Sequence, residues 1–172
     1  DRVSVRDCLY GLLLKSANEV ANGLAEHVGG SIQGFADMMN QKAAELGCTG
    51  THFTNPSGLN DPDHYTTARD MAKIAGAAFG NETLRKISSS LSYEFPATKA
   101  AAARTITPGH KMLYPSDSRY YEGIVGGKTV YFPCREYSGN VYGKRRSPHD
   151  RRGIEGQKHP LWGHEGDAGL RL

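Results

Sequence analysis

The apolar patterning of this chain stops abruptly at Val130, and that break limits what the sequence can fold into. Residues 131–172 contain only five Ile, Leu, Val or Met residues, Val141, Ile154, Leu161, Leu170 and Leu172, against seven glycines. So little apolar surface cannot offset the entropy lost on ordering 42 residues. The charges divide at the same place. Residues 1–130 hold 13 Lys/Arg and 13 Asp/Glu, and residues 131–172 hold 8 and 5, which supplies the whole net charge of +3. The sequence therefore predicts one folded unit over 1–130 and an aberrant, poorly structured tail over 131–172.

Before the break, the apolar residues recur at helical spacing. Val5, Cys8, Leu9, Leu12 and Leu13 predict one buried helix face. Val20, Ala21, Leu24, Ala25 and Val28 predict a second, stopped by Gly29-Gly30. A third runs through Ile32, Phe35, Met39 and Leu46, with Ser31 as N-cap and Gly47 as stop. Asn55-Pro56-Ser57-Gly58 is a turn by composition. Thr67-Ala68-Arg69-Asp70 reads as a capping box opening a helix through Met71, Ile74, Ala75, Ala78 and Phe79. Asn81 is suited to cap a short helix through Leu84 and Ile87. From Leu91 onward, Ser92–Phe95, Arg104–Ile106 and Tyr121–Val125 predict short strands.

Composition excludes several functions. No apolar run approaches the roughly 18 residues that a membrane-spanning helix needs. Cys8, Cys48 and Cys134 form no C-x-x-C pair, so neither a zinc ribbon nor a disulfide framework is expected. Cys8 and Cys48 fit core positions. His149-Asp150, His159 and His164-Glu165 match no metal-ligand spacing, and no metal or other cofactor is expected. Lys144-Arg145-Arg146 and Arg151-Arg152 lack the interleaved aromatics that stack on bases, so nucleic acid is not an expected partner.

Two short elements carry candidate chemistry. Ser16-Ala17-Asn18 joins two amphipathic helices, where a hydroxyl and an amide could point into one cleft; the simpler reading is that Ser16 caps the second helix. The triplet recurs as Ser138-Gly139-Asn140, but in the tail, where no site is expected. Gly126-Gly127-Lys128-Thr129 follows a strand signal and offers a cation and a hydroxyl side by side, suited to a carboxylate. The simpler reading there is an exposed strand end.

In this order, about 110 residues apart, these elements resemble the S-x-N and K-T-G motifs of penicillin-binding proteins and class A β-lactamases. The segments "VRDCLYGLLLKSANEVANGLAEHVGGS", "FADMMNQKAAELGCTGTHFTNPSGLNDPDHYTTARDMAKIA" and "HKMLYPSDSRYYEGIVGGKT" are similar to the serine D-alanyl-D-alanine carboxypeptidases in particular. The resemblance implies an α/β sandwich: an antiparallel sheet with flanking helices and a helical subdomain, incomplete at both ends of this chain. It implies removal of the terminal D-alanine from peptidoglycan stem pentapeptides through a serine acyl-enzyme, acylation of the intact parent by β-lactam antibiotics, and export of that parent to the cell envelope. Ser16 would relay protons and Asn18 would bind the substrate amide. Lys128 would supply positive potential, and Thr129 would hold the terminal carboxylate. A serine β-lactamase of the same fold and a non-catalytic peptidoglycan-binding or partner-binding domain are the alternatives.

Two departures stand beside the match. No serine in the chain lies three residues before a lysine, so the S-x-x-K nucleophile and base are missing; and Val130 stands where K-T-G has glycine. The expectation is a chain inactive by itself, a piece of a longer protein that begins upstream of Asp1. Codons for "VYFPCREYSGN" permit "YTSLAGNTLV" one base later, and "HPLWGHEGDAGL" in the same phase permits "THYGDTKAMLDY". The first resembles the family's run after K-T-G and the second its closing helix, so a frameshift after Thr129 is expected.

Overall fold

The computed structural model describes residues 2–131, 138–144 and 170–171, with side chains over 2–129. Three helices open the chain: α1 (Val5–Lys15), α2 (Asn18–Gly29) and α3 (Ile32–Glu45). A two-residue strand, β1 (Tyr65–Thr66), precedes α4 (Ala68–Gly80) and α5 (Glu82–Ser88). Strands β2 (Tyr93–Phe95) and β3 (Arg104–Ile106), a 3₁₀ turn (Lys111–Leu113), β4 (Ile124–Tyr131), β5 (Ser138–Lys144) and β6 (Leu170–Arg171) complete the described elements. The strands pair antiparallel as β1–β6, β2–β3 and β4–β5.

The expected caps form. Ser31 accepts from the Gly34 N–H at 2.9 Å, Thr67 from the Asp70 N–H at 3.1 Å, and Asn81 from the Leu84 N–H at 3.1 Å. Gly47, at φ 73°, closes α3: its N–H donates to the Ala44 carbonyl and the Cys48 N–H to the Ala43 carbonyl, both at 2.9 Å. That double bond pattern is a Schellman motif, and it uses carbonyls that the helix end leaves without partners. Asn55 organises its turn by accepting from the Gly58 N–H at 2.8 Å and donating to the Leu59 carbonyl at 2.9 Å.

The buried face of α1 differs from the expected one. Tyr10, Gly11 and Leu14 are buried, whereas Val5 is 54% exposed. The reason is the β2–β3 ribbon. Tyr10 stacks on Tyr93 with ring centroids 3.7 Å apart, and Phe95 lies 3.6 Å from where a Cβ on Gly11 would sit. An aromatic partner and a glycine gap, rather than the leucine stripe, turn the helix. Tyr10, Leu14, Ile87 and Ile106 form the core there, with Leu9, Leu13, Tyr93 and Phe95 packed against it. Val28, expected on the buried face of α2, is 57% exposed, while Ala21 and Ala25 are buried. Cys8 and Cys48 are half-buried free thiols.

The third predicted strand also starts later. Residues 121–123 form a turn, and β4 runs from Ile124 through the Lys128-Thr129 pair. Its register with β5 slips between Ile124 and Gly126, a bulge that adds local twist just before the glycine pair. Of the 131–172 segment, residues 138–144 and 170–171 are strands, and the second S-x-N triplet opens β5 with Asn140 opposite Thr129. Apart from Lys144, which ends β5, the basic runs lie outside the described residues, as do the tail histidines, Cys134 and most of the residues on which the frameshift reading rests.

Candidate active site

The site forms where the end of α1 meets the middle of β4. Ser16 closes α1 as its C-cap, and its N–H donates to the Leu12 carbonyl at 3.0 Å. Its backbone sits at φ 55° and ψ 43°, the left-handed region, and among the described residues it is the only non-glycine there. Such a conformation costs on the order of 1 kcal/mol for a residue with a Cβ. It also overturns the simpler reading, because the N-cap of α2 is Ala17, not Ser16. The serine is spent on turning the chain between two helices, and its hydroxyl remains exposed.

Across from it, Lys128 Nζ donates to Ser16 Oγ, joining residues 112 positions apart. The same Nζ donates to the Thr129 carbonyl at 2.5 Å. Burial pushes the Lys128 ammonium below its usual 10.5, since a half-buried cation loses hydration. The structure thus brings Ser16 and Lys128 into contact and sets Thr129 directly beside them. Asn18, half-buried, is the first residue of α2, one turn-residue away from Ser16. Among the described residues no hydrogen bond links its amide to the lysine.

What holds Lys128 in place is the glycine pair before it. A Cβ on Gly127 would fall 1.8 Å from His110 Cδ2 and 2.1 Å from its Nε2. A Cβ on Gly126, at φ 149°, would fall 2.3 Å from Ser88 Oγ and 3.1 Å from Phe79. Strand β4 therefore lies flat against the His110 ring and the ends of α4 and α5, an approach only glycine permits. His110 is 2% exposed, and burial holds its imidazole pKa below 6.5. His110 is thus the support behind the strand. The doubled glycine was the one available signal of this packing.

His64 is also buried, at 2% exposure, and its Nδ1 accepts from the Thr54 N–H at 3.1 Å, so it braces the 54–64 loop. Among the described residues no group of three His, Cys, Asp or Glu could hold a metal ion, and no helix is long and apolar enough to cross a membrane.

Solved structures share this fold. The D-alanyl-D-alanine carboxypeptidase of Mycobacterium tuberculosis superposes with a TM-score of 0.73 at 33% identity, covering 92% of this chain and 58% of that one. The Streptomyces K15 DD-transpeptidase gives 0.73 at 31% identity, over 84% of this chain and 56% of that one. Helical block, antiparallel strands and the α1–β4 junction together make this the penicillin-binding-protein fold of the DD-peptidases, a serine-peptidase class. Residues 1–130 match the model of the D-alanyl-D-alanine carboxypeptidase family, peptidase family S11, and the chain belongs to that family. Among curated relatives it is 39% identical over 132 residues to D-alanyl-D-alanine carboxypeptidase DacB2 of Mycobacterium tuberculosis, covering 74% of this chain and 42% of the relative. It is 33% identical over 144 residues to the Streptomyces K15 carboxypeptidase, covering 80% and 49%. The chain thus spans less than half the length of each of these two relatives.

Proposed function

We propose that this chain carries the substrate-holding side of a D-alanyl-D-alanine carboxypeptidase site. The whole protein would remove the terminal D-alanine from peptidoglycan stem pentapeptides at the cell envelope and be acylated by β-lactams. The observation that supports this reading is the hydrogen bond from Lys128 on β4 to Ser16 at the α1–α2 junction. In this reading Thr129 and Lys128 receive the terminal carboxylate of the peptide, and the Asn18 amide bonds to its backbone. Ser16 passes a proton to the departing D-alanine nitrogen. A substrate backbone could lie along β4 as an added strand.

The missing S-x-x-K favours one further statement about the chain itself: it binds the peptide without cleaving it. Titration with an N-acyl-L-Lys-D-Ala-D-Ala peptide, followed by amide NMR shifts, tests both parts. Binding is expected to weaken about tenfold in Thr129→Val, the loss of one bond to a charged partner. A peptide ending in D-alanine amide is expected to bind no better than that variant does. No D-alanine release and no labelling by a fluorescent penicillin are expected. Release, labelling, or indifference to the carboxylate each overturns the reading.

A further inference from the structure

The β2–β3 ribbon and α1 meet through two tyrosines whose rings lie face to face. Tyr10, buried on α1, and Tyr93, half-buried on β2, have ring centroids 3.7 Å apart and planes within 7° of parallel. Aromatic pairs prefer offset or edge-on arrangements, because the like faces of two ring quadrupoles repel. Polar contacts at the rim hold this pair. The Tyr93 hydroxyl donates to Asp7 Oδ1 at 2.6 Å. Asp7 is fixed in turn by Ser4, whose hydroxyl donates to Oδ2 at 2.5 Å and accepts from the Asp7 N–H at 3.1 Å. Bonds from Ser4 and Tyr93 hold the Asp7 carboxyl below 3.8, so at neutral pH it is an ionised acceptor for the phenolic proton.

We propose that Tyr10 and Tyr93 form an oxidative modification site, at which a one-electron oxidant of the high-valent metal class links the two rings covalently and fastens the ribbon to α1. Tyr93, the more exposed ring, gives up the first electron to the oxidant while its phenolic proton passes to Asp7. The electron vacancy then crosses the stack. Tyr10 loses an electron to Tyr93 and its phenolic proton to water, and Asp7 returns its proton to Tyr93. A second oxidation restores the radical on Tyr93. The two phenoxyl radicals pair, and one C–C bond forms between carbons ortho to the oxygens. Each of those carbons sheds its hydrogen as a proton while its oxygen takes one up. Two electrons have gone to the oxidant and two protons to solvent. Face-to-face contact suits the bond-forming step, because the new bond grows perpendicular to both rings.

Other tyrosines offer a contrast. Tyr65 and Tyr120, 41% and 44% exposed, meet an oxidant more readily, but among the described residues neither stacks on a second tyrosine. The site rests on the packing of α1 against β2 alone and is independent of the carboxypeptidase reading.

The test is brief illumination of the full chain with tris(bipyridyl)ruthenium(II) and persulfate, read by intact mass, peptide mapping and the blue fluorescence of linked tyrosines. The expected product is a single chain lighter by two hydrogen atoms, with the Tyr10 and Tyr93 peptides joined before any link between chains appears. Tyr10→Phe and Tyr93→Phe each keep a ring in the stack and are expected to lose this product entirely. Asp7→Asn keeps the side-chain size and loses the base, so its internal link is expected to form no sooner than links between chains. A thiol can quench a phenoxyl radical, and Cys8 is a half-buried free thiol two residues from Tyr10, so Cys8→Ser is run beside the wild type. A circular dichroism melt separates lost chemistry from lost fold. The proposal is overturned if neither the wild type nor Cys8→Ser joins Tyr10 to Tyr93, if other links come first, or if Asp7→Asn forms the link as early as the wild type.

Discussion

Two polar junctions tie distant parts of this molecule together, and they are built on opposite principles. At the first, Asp70 at the start of α4 is 2% exposed and both its oxygens accept hydrogen bonds. Oδ2 accepts from the Gly50 N–H at 2.8 Å and the Thr51 hydroxyl at 3.0 Å, and Oδ1 accepts from Lys73 at 3.2 Å. Thr51 in turn bonds Thr66 at 2.9 Å. At the second, Ser16 and Lys128 share one hydrogen bond at an exposed edge. A buried carboxylate costs several kcal/mol unless it is paired and hydrogen-bonded, and here three donors from the chain itself meet it out of reach of solvent. The second keeps a hydroxyl and an amine within reach of a ligand. A junction built for stability buries its polar groups against one another, and one built for chemistry leaves a polar group exposed.

The largest expected effect breaks the first junction. Asp70→Ala removes the acceptor that the Gly50 N–H, Thr51 and Lys73 share and should cost about 3–5 kcal/mol in urea denaturation. Lys128→Met should cost no more than about 1 kcal/mol. If the two variants lose equal stability, the contrast fails. The pH dependence carries the same information. Burial raises the Asp70 carboxyl, but its bonds from Gly50, Thr51 and Lys73 outweigh that and hold it below 3.8. A depressed carboxyl contributes stability above its unfolded value and loses it as pH falls through the folded one. Wild type should therefore lose stability below about pH 4, with this share absent in Asp70→Ala.

A smaller effect is expected at the support of the second junction. Gly127→Ala would drive a methyl into the His110 ring, 1.8 Å from Cδ2. Strand β4 must lift, at about 1–3 kcal/mol by the usual cost of overpacking. Because Lys128 is the next residue, its contact with Ser16 should go with it. The measurement is the stability loss together with the loss of peptide binding. A variant that is destabilised yet binds the peptide normally would show that His110 does not position the lysine.

The two junctions also differ in what a sequence can disclose of them. Ser31, Thr67, Asn81, Gly47 and Asn55 act within a few residues of themselves, and their local patterns predict the turns and caps observed. Asp70 was legible only as the fourth member of a capping box, yet its carboxylate serves Gly50 and Thr51, about 20 residues away. No local signal encodes that. The α1 face failed for a related reason, since Tyr10 finds its partner at Tyr93. The meeting of Ser16 with Lys128 arises from no periodicity either. It was expected only because the order of the two motifs resembles a family. The nature of the 131–172 segment remains a proposal: an out-of-frame tail after Thr129.

The smallest effect is the most discriminating, because two serines at helix ends should respond with opposite signs. Ser31→Ala removes an N-cap that accepts from Gly34 and should destabilise by about 1 kcal/mol. Ser16→Gly removes the strain of a left-handed Cβ, on the order of 1–2 kcal/mol. Glycine gives back roughly 0.5–1 kcal/mol through the entropy of the unfolded chain. The net is a gain of about 0.5 kcal/mol, or a melting temperature roughly 1–2 °C higher for a domain of this size. The same variant loses the hydroxyl and with it the proton relay proposed for Ser16. A serine kept where glycine would be more stable marks strain retained for a chemical role. If Ser16→Gly instead melts lower, by as much as Ser31→Ala, then the bond to Lys128 is itself a stabilising cap. The two junctions would then be two versions of one structural device.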